Sequence, residues 1–401
     1  MRTGQTHLFI PGPTNVPEAV RQSMNVPMQD MRAPDFGDLT LGLFRDLKEV
    51  LRTETGEVMI FPGSGTAAWE AAITNTLNPG DRVLMSRTGQ FSTLWVEMAE
   101  RLGLEVEVID LPWGAVVPVK EYARRLGNDK YDEIKAVFVT HNETATGVTS
   151  DVAAVRRVMD ECFHDALLFV DGVSSIGSIE FRMDDWGVDL AVTGSQKGLM
   201  LPAGLGILGI SQKALEASKT ATMRRAYFEF SDMRALNADG YFPYTPPTQL
   251  FHGLRKSLDR ILREEGLDTV IARHHRLAEG VRRGIAAWGL DLVAEHHTLF
   301  SDTVSAIRVP TDVDAREVLR IAYKEYNTSF GSGLARLAGK VFRIGHLGDM
   351  NEGMCLTALS IAEMSLLRAG VPLQLGSGVG AAQSYFAFDG QIAPAMRVAA
   401  E

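Results

Sequence analysis

The sequence predicts an α/β protein built around a mainly parallel β-sheet. Along the first part of the chain, short apolar runs of strand length alternate with helical segments. The runs are rich in valine and leucine on both faces, as expected of a sheet that helices cover on two sides. Such alternation is typical of parallel sheets. At 401 residues the chain exceeds the size at which single cores stop growing, about 250 to 300 residues, so we expect two domains.

The elements of the predicted sheet follow one another along the chain. Helical segments at 91–103 and 151–164 separate some of the strands, and glycine or a polar turn ends or follows each helix. The strands are expected at 82–86, 106–111, 136–141, 167–172 and 189–195.

The pattern changes after a long helical stretch that starts near residue 254, because fewer strands follow it. The later strands and helices are expected at 304–310 and 341–348, and at 314–326 and 351–369. We predict an N-terminal arm over 1–20, a large domain over 21–265 and a smaller α+β C-terminal domain over 266–401. The glycine- and aromatic-rich end of the chain, 371–401, has no clear periodicity and receives no role.

Composition excludes several classes of function. The formal net charge is −10 and no block of lysines or arginines stands out, which argues against a nucleic-acid surface. Cys162 and Cys355 have no paired spacing, so neither a disulfide framework nor a metal site is expected. No apolar run approaches the roughly 20 residues of a membrane span, and proline interrupts the start of the chain too early for a signal peptide. We therefore expect a cytoplasmic protein that contacts no membrane.

Three strand ends carry notable side chains, and ligands of such sheets bind beyond the carboxyl ends of the strands. Residues 63–66 (GSGT) precede a helix and could hold an anion, although they also fit an ordinary capped turn. Asp171 ends one strand, where it could instead cap a turn or helix. Lys197 follows the next strand, where an exposed loop lysine is the alternative.

Together these residues fit pyridoxal phosphate. This cofactor needs a lysine for a Schiff base, a carboxylate that keeps its ring nitrogen protonated, and an anchor for its phosphate. Lys197, Asp171 and the segment 64–66 match these three needs.

With these residues the chain resembles the class V family of fold-type I pyridoxal-phosphate enzymes, and within it the serine–glyoxylate and alanine–glyoxylate aminotransferases. The resemblance covers most of residues 8 to 350 and implies a large, mainly parallel sheet domain with a smaller α+β C-terminal domain. The motifs that carry it are PGPTNVP (11–17), GSGTAAWEA (63–71), THNETATGV (140–148), VDGVSSIG (170–177), TGSQKGL (193–199), YTPPT (244–248) and FRIGHLG (342–348).

The resemblance also implies roles for residues around the cofactor. Lys197 would be the catalytic Schiff-base lysine and proton carrier, and Asp171 would pair with the ring nitrogen. Trp95 would stack on the ring, with a place in the core as its alternative. The phosphate would be held by Ser64, Gly65, Thr66 and Gln196.

Further roles concern the substrate and the cofactor's 3′-oxygen. Thr144 would lie near that oxygen, and Thr146 is the alternative. Arg343 would bind the substrate carboxylate in a bidentate pair, for which a guanidinium is suited. The family has a His-Arg pair where this chain has Met31 and Arg32, so the amino donor is open, and Arg32 is a candidate contact to a second carboxylate.

The resemblance implies a homodimer with shared active sites. Tyr244 and Thr245 match positions that reach the phosphate of the neighbouring subunit. A one-residue gap in the alignment leaves Thr248 as an alternative to Thr245.

The implied reaction moves the amino group of a small L-amino acid, L-serine or L-aspartate, to glyoxylate and yields glycine and a 2-oxo acid. L-Alanine is an alternative donor. A cysteine desulfurase or lyase would need a mobile cysteine, whereas Cys162 and Cys355 both lie in helical patterns. A non-enzymatic binding protein would be expected to lose Lys197 or Asp171.

Overall fold

The computed structural model describes residues 4–388, so the last part of the predicted small domain, 389–401, lies outside the described residues. The strands are β1 (His7–Phe9), β2 (Glu57–Gly63), β3 (Arg82–Arg87), β4 (Glu105–Asp110), β5 (Ile134–Thr140), β6 (Asn142–Glu143), β7 (Val148–Thr149), β8 (Leu167–Asp171), β9 (Leu190–Gly194), β10 (Gly204–Ile210), β11 (Val304–Arg308), β12 (Thr328–Ser332) and β13 (Val341–Gly345).

The helices cover both faces of the larger sheet and pack beside the smaller one. They are α1 (Glu18–Ser23), α2 (Pro34–Leu51), α3 (Gly65–Thr76), α4 (Gln90–Arg101), α5 (Val119–Asn128), α6 (Val152–Glu161), α7 (Gln212–Ser218), α8 (Phe230–Asn237), α9 (Thr248–Asp259), α10 (Leu267–Ala287), α11 (Ala315–Tyr326), α12 (Glu352–Arg368) and α13 (Ser377–Phe388). No helix within residues 4–388 is both long and apolar enough to span a membrane.

The large sheet has the strand order β2-β10-β9-β8-β5-β3-β4. Every neighbouring pair is parallel except the two that involve β10, so the predicted mainly parallel α/β sheet is confirmed. Strand β10 falls on the glycine-rich run after Lys197, for which the sequence suggested no element. Glycine is needed there because a Cβ on Gly206 would lie 2.5 Å from the carbonyl oxygen of Ser64, beside the start of α3.

The small sheet has the order β1-β12-β13-β11. Strand β1 pairs in parallel with β12, with His7 opposite Thr328, and the other pairs are antiparallel. The segment predicted as an N-terminal arm therefore gives an edge strand to a sheet that is otherwise built late in the chain. Three residues are too short to show a period in the sequence.

Two large apolar cores accompany the two larger sheets, beside a small cluster around Val293 and a two-stranded sheet of β6 and β7. The first contains buried residues from Val20 to Val270, and the second contains Phe9 and residues from Leu277 to Ala382. The change from one core to the other falls inside α10, which starts after the turn at Gly266 (φ +88°). Helix α13 packs on α10, where Gly280 leaves room for the ring of Phe386.

Candidate active site

A cavity of about 260 Å³ lies at the carboxyl ends of the parallel strands of the large sheet. The ends of β2, β8 and β9 contribute to it, because parallel strands end at the same edge of a sheet. Its wall is formed by Gly12, Pro13, Ser64, Gly65, Thr66, Trp69, Phe91, Thr144, Asp171, Val173, Ser174, Gln196, Lys197 and Ala203.

Lys197 lies in the turn after β9 and is only 9% exposed. Its Nζ donates a hydrogen bond of 2.6 Å to the carbonyl oxygen of Pro11. The pKa of Lys197 is lowered to about 8, mainly by burial and then by the positive charge of Arg343, while Asp171 opposes this shift. More of this amine is therefore neutral near pH 7 than in an ordinary lysine, and a neutral amine is a nucleophile.

Asp171 is the last residue of β8 and is buried. Its Oδ1 accepts a hydrogen bond of 2.9 Å from the backbone N–H of Val173. The pKa of Asp171 is raised to about 7, mainly by burial. The hydrogen bond from the Val173 N–H opposes this rise, the negative charge of Glu143 adds to it, and the charge of Lys197 opposes it. A protonated ring nitrogen beside this carboxylate would favour its ionised form.

The segment 64–66 forms the N-terminus of α3, where Ser64 is the N-cap residue and makes no capping bond with its side chain. Free N–H groups and the helix dipole favour an anion at such a position. A Cβ on Gly65 would collide with Val173, so this turn requires glycine. The nearby side-chain oxygen of Gln196 is buried and has no hydrogen-bond partner among the described residues.

The aromatic wall of the cavity is formed by Trp69 and Phe91. Trp95, the residue expected to stack on the cofactor, is instead buried behind Trp69, with ring centroids 5.4 Å apart and planes at 17°. On its other side it meets the edge of Phe138. Phe91 lies in the first turn of α4 and Trp95 one turn later, so Phe91 reaches the cavity and Trp95 reaches the core.

Thr144 and Arg343 connect the cavity to the small sheet. The backbone carbonyl of Thr144 accepts a hydrogen bond of 2.9 Å from Nη1 of Arg343. The Nε of Arg343 donates a second hydrogen bond of 2.9 Å to the backbone carbonyl of Ser332. Arg343 is 6% exposed, and burial lowers its pKa to about 10 although Glu143 raises it. The Thr144 hydroxyl donates to Ser174 Oγ at 2.8 Å and lines the cavity; Thr146 is buried and lies outside the lining.

Glu143 was not predicted to matter, yet it lies at the centre of this region. It is buried and accepts hydrogen bonds from the backbone N–H groups of Phe91, Ser92 and Ala145, the first two in the first turn of α4. It thus fixes the helix turn that carries Phe91. Glu143 ends the short strand β6, about fifty residues after the first turn of α4 in the sequence, so no local sequence signal identifies this contact.

Besides Trp95, three predicted residues and one alternative lie away from the cavity of their own chain, and Arg343 is not among the residues of the cavity wall. Arg32 is exposed, and its backbone N–H donates to Asp30 at 2.9 Å. Tyr244 stacks on Tyr227 with ring centroids 4.1 Å apart, and Thr245 is exposed. Thr248, the alternative to Thr245, is buried in the first turn of α9.

The sequence analysis missed Gly12, Pro13, Trp69 and Phe91 as wall residues. Trp69 lies four residues after Gly65 on α3, so helical spacing places both on one face and could have identified it. Gly12 belongs to the PGPTNVP motif, which received no role. A Cβ on Gly12 would approach Lys197 Nζ to 2.5 Å, so the arm contacts the lysine closely.

Comparisons with known proteins agree with this geometry. The family model described as Aminotransferase class-V matches residues 42–326. The chain is 61% identical over 382 residues to a serine–glyoxylate aminotransferase of Hyphomicrobium methylovorum, covering 95% of this chain and 94% of that protein. It is 53% identical over 384 residues to an L-aspartate–glyoxylate aminotransferase of Paracoccus denitrificans, covering 96% of this chain and 97% of that protein.

A solved structure shares the whole architecture. The crystal structure of pyridoxamine–pyruvate aminotransferase from Mesorhizobium loti superposes with a TM-score of 0.90 at 28% identity, covering 97% of this chain and 100% of that one. The predicted fold-type I architecture and the family resemblance are thereby confirmed. This chain belongs to the class V aminotransferase family.

Proposed function

We propose that this protein is a pyridoxal-phosphate aminotransferase that moves the amino group of L-serine or L-aspartate to glyoxylate, giving glycine and a 2-oxo acid. One observation carries the proposal: Lys197, a lysine with a lowered pKa, and the buried carboxylate of Asp171 lie at the ends of two adjacent strands. Both line one cavity, and the helix N-terminus at 64–66, which is suited to an anion, lines the same cavity. The names of the two relatives above support glyoxylate as the amino acceptor.

The residues present fit the cofactor. Ser64, Gly65 and Thr66 offer a helix N-terminus to the phosphate, and Gln196 lines the same cavity, where its side-chain amide N–H group can donate to a phosphate oxygen. When bound, pyridoxal phosphate supplies an aldehyde for the amino group and a ring that stabilises negative charge at Cα. Phe91 takes over the stacking position first assigned to Trp95, because Phe91 lines the cavity.

Lys197 and Arg343 have separate tasks in the proposed reaction. Lys197 Nζ holds and moves the proton taken from Cα of the amino acid, a task suited to an amine with a pKa of about 8. Arg343 binds the α-carboxylate through its guanidinium. Its Nη2 has no hydrogen-bond partner among the described residues, and both the amino donor and glyoxylate carry a carboxylate that it can serve.

A desulfurase reaction is disfavoured by the two cysteines. Burial raises the pKa of Cys355 to about 12, and this residue lies in α12. Cys162 ends α6, where its Sγ contacts the carbonyl oxygen of Ala123 at 3.6 Å. Neither residue lines the cavity.

L-Alanine is an alternative amino donor, and a panel of donors decides between it, L-serine and L-aspartate.

We further propose a cytoplasmic homodimer with shared sites. Tyr244 and Thr245 lie outside the cavity of their own chain, which supports a role at the site of a second copy. Both cysteines are free, as is usual in reducing compartments.

The test is a panel of L-serine, L-aspartate and L-alanine with glyoxylate, with glycine measured by chromatography and the bound cofactor followed by absorbance. The purified protein should be yellow, and Lys197→Ala should abolish transfer. The control Lys213→Ala removes a half-exposed lysine that pairs with Asp165 and should leave transfer unchanged. Normal turnover by Lys197→Ala, or no glycine with any donor, would overturn the proposal.

A further inference from the structure

Trp69 is the one aromatic wall residue that carries a hydrogen-bond donor. It is 3% exposed, and its Nε1 is buried with no partner in hydrogen-bond geometry among the described residues. Leaving a buried donor without an acceptor costs free energy. The side chain faces the same cavity as Asp171, so an unsatisfied donor lies beside a buried carboxylate.

A stack of aromatic rings fixes the position of this indole. Trp69 stacks on Trp95, Trp95 meets the edge of Phe138 at 4.8 Å, and Phe138 stacks on Phe169 at 4.4 Å. Phe169 lies two residues before Asp171 on β8, so both side chains point to the same face of the strand. The stack therefore holds the indole of Trp69 on the same face of the sheet as the Asp171 carboxylate.

The carboxylate has an oxygen to receive this donor. Asp171 Oδ1 accepts from the Val173 N–H, whereas Oδ2 has no hydrogen bond among the described residues. The groups that act on this carboxylate are Glu143, from the hairpin beside β5, which raises its pKa, and Lys197, which lowers it. Arg343 acts on Lys197. The indole N–H of Trp69 also lowers the pKa of Asp171 through a weak hydrogen-bonding contribution, which places this donor close to the carboxylate although their geometry falls short of a full hydrogen bond.

We propose that the indole N–H of Trp69 is a second donor to the Asp171 carboxylate and keeps it ionised and oriented toward the ring nitrogen of the cofactor. Trp69 is thus a positioning residue that acts through Asp171. The inference rests on the proposed function, because it assumes that pyridoxal phosphate occupies the cavity.

The test compares Trp69→Phe with Trp95→Phe. Both variants keep an aromatic ring in the stack, and both remove a buried Nε1 that lacks a partner, but only Trp69 lines the cavity. The readout is the dissociation constant of pyridoxal phosphate, measured by absorbance between pH 6.5 and 9. We expect Trp69→Phe to bind it about tenfold to a hundredfold more weakly near pH 7, as for a lost hydrogen bond to a charged group.

The pH dependence separates positioning from a packing defect. Without the indole donor the pKa of Asp171 rises, so the carboxylate is protonated over a wider range and the loss is greatest near pH 7. Toward pH 9 it is ionised in both proteins, and the ratio of dissociation constants should shrink. A neutral Asp171 no longer raises the pKa of Lys197, so the variant has more neutral amine near pH 7; this change favours cofactor capture and opposes the expected loss. A packing defect would give a ratio that does not change with pH.

A double-mutant cycle completes the test. In the Asp171→Asn background, Trp69→Phe should cause little further loss, because its effect passes through the missing carboxylate. Additive losses, or equal effects of Trp69→Phe and Trp95→Phe, would overturn the inference and leave the proposed function intact. Failure of the unsubstituted protein to bind pyridoxal phosphate would instead overturn the proposed function.

Discussion

Lys197 and Asp171 show how burial prepares two side chains for chemistry. Burial destabilises the charged form of both groups, so it lowers the pKa of the lysine to about 8 and raises that of the aspartate to about 7. Both groups therefore titrate near physiological pH. Neighbouring charges contribute to the same shifts: Arg343 helps to lower the pKa of the lysine, and Glu143 helps to raise the pKa of the aspartate.

Capture of the cofactor should depend on the neutral form of Lys197. In the cofactor-free protein, the rate of pyridoxal phosphate incorporation should rise with pH through a midpoint near 8, the pKa of this amine. Arg343→Gln removes a positive charge that lowers this pKa, so the midpoint should move to higher pH. The measurement is the rate of absorbance change against pH.

The control for this shift is Arg320→Gln, on the surface of α11, where the arginine pairs with Glu317. Its midpoint should match that of the unsubstituted protein. An unchanged or lower midpoint in Arg343→Gln would mean that the guanidinium does not act on Lys197.

Helix α4 begins against a buried carboxylate. Glu143 accepts from N–H groups of the first turn, and Gly89, the N-cap residue, packs directly against its side chain. A Cβ on Gly89 would overlap the Cγ of Glu143, so Gly89→Ala should lower the free energy of unfolding by about 1 to 3 kcal/mol, as for other overpacked sites. It should also weaken cofactor binding, because Phe91 belongs to the displaced turn.

The matched control is Gly42→Ala in α2, where the added Cβ would meet only flexible arginine side chains at 3.7 Å or more. Alanine is favoured over glycine in a helix by about 0.5 to 1 kcal/mol, so this variant should be as stable as the original or more so. Urea unfolding measures both. Equal stability of the two variants would contradict the close packing at Glu143.

Strands that form a continuous apolar run could be predicted from the sequence, whereas β10 could not, although it is longer than β8 and β9. The strands β3, β5, β8 and β9 are continuous apolar runs, so their burial on both faces was visible. The strand character of β10 was not visible, because glycines have no side chains to form a pattern. The same glycines allow β10 to lie close to α3. Lys197, Asp171 and the turn 64–66 follow from strand ends, whereas Phe91 and Trp95 differ by one helical turn, and only the position of the helix decides between them.

At the scale of the assembly, the proposed dimer predicts complementation between two inactive variants. Thr245→Glu would place a carboxylate against the phosphate at the partner's site and empty that site by charge repulsion. Lys197→Ala removes the chemistry of its own site. When both are unfolded and refolded together, random pairing makes half of the dimers mixed, each with one intact site, so about a quarter of the original activity should return.

Each variant refolded alone is the control and should stay inactive. If mixed dimers form, as tags on the two variants can show, but no activity returns, Thr245 acts within its own subunit and the shared site is wrong.

The segment 7–14 joins the small sheet to the wall of the candidate active site. Residues 7–9 pair with β12, while Thr14 Oγ1 donates to Lys197 O at 3.1 Å and Thr14 N to Gln196 O at 3.1 Å. Gly12→Ala should therefore disturb Lys197 and slow cofactor capture at least tenfold. Gly4→Ala is the control, because both glycines have φ near +110° but a Cβ on Gly4 meets nothing within 4 Å. Equal capture rates would show that backbone strain alone matters.

This arrangement has a consequence for synthesis of the chain. The ribosome releases β1 before the strands of the large sheet, yet its partner β12 emerges only after the whole large sheet and most of the described helices have been made. Domains generally fold as units during translation, so the large sheet can form while β1 is still unpaired. Strand β1 is thus made before the large sheet and docks after it has formed, and the contacts of Pro11 and Thr14 with the Lys197 turn follow. A nascent chain carries Lys197 long before the surroundings that lower its pKa are complete.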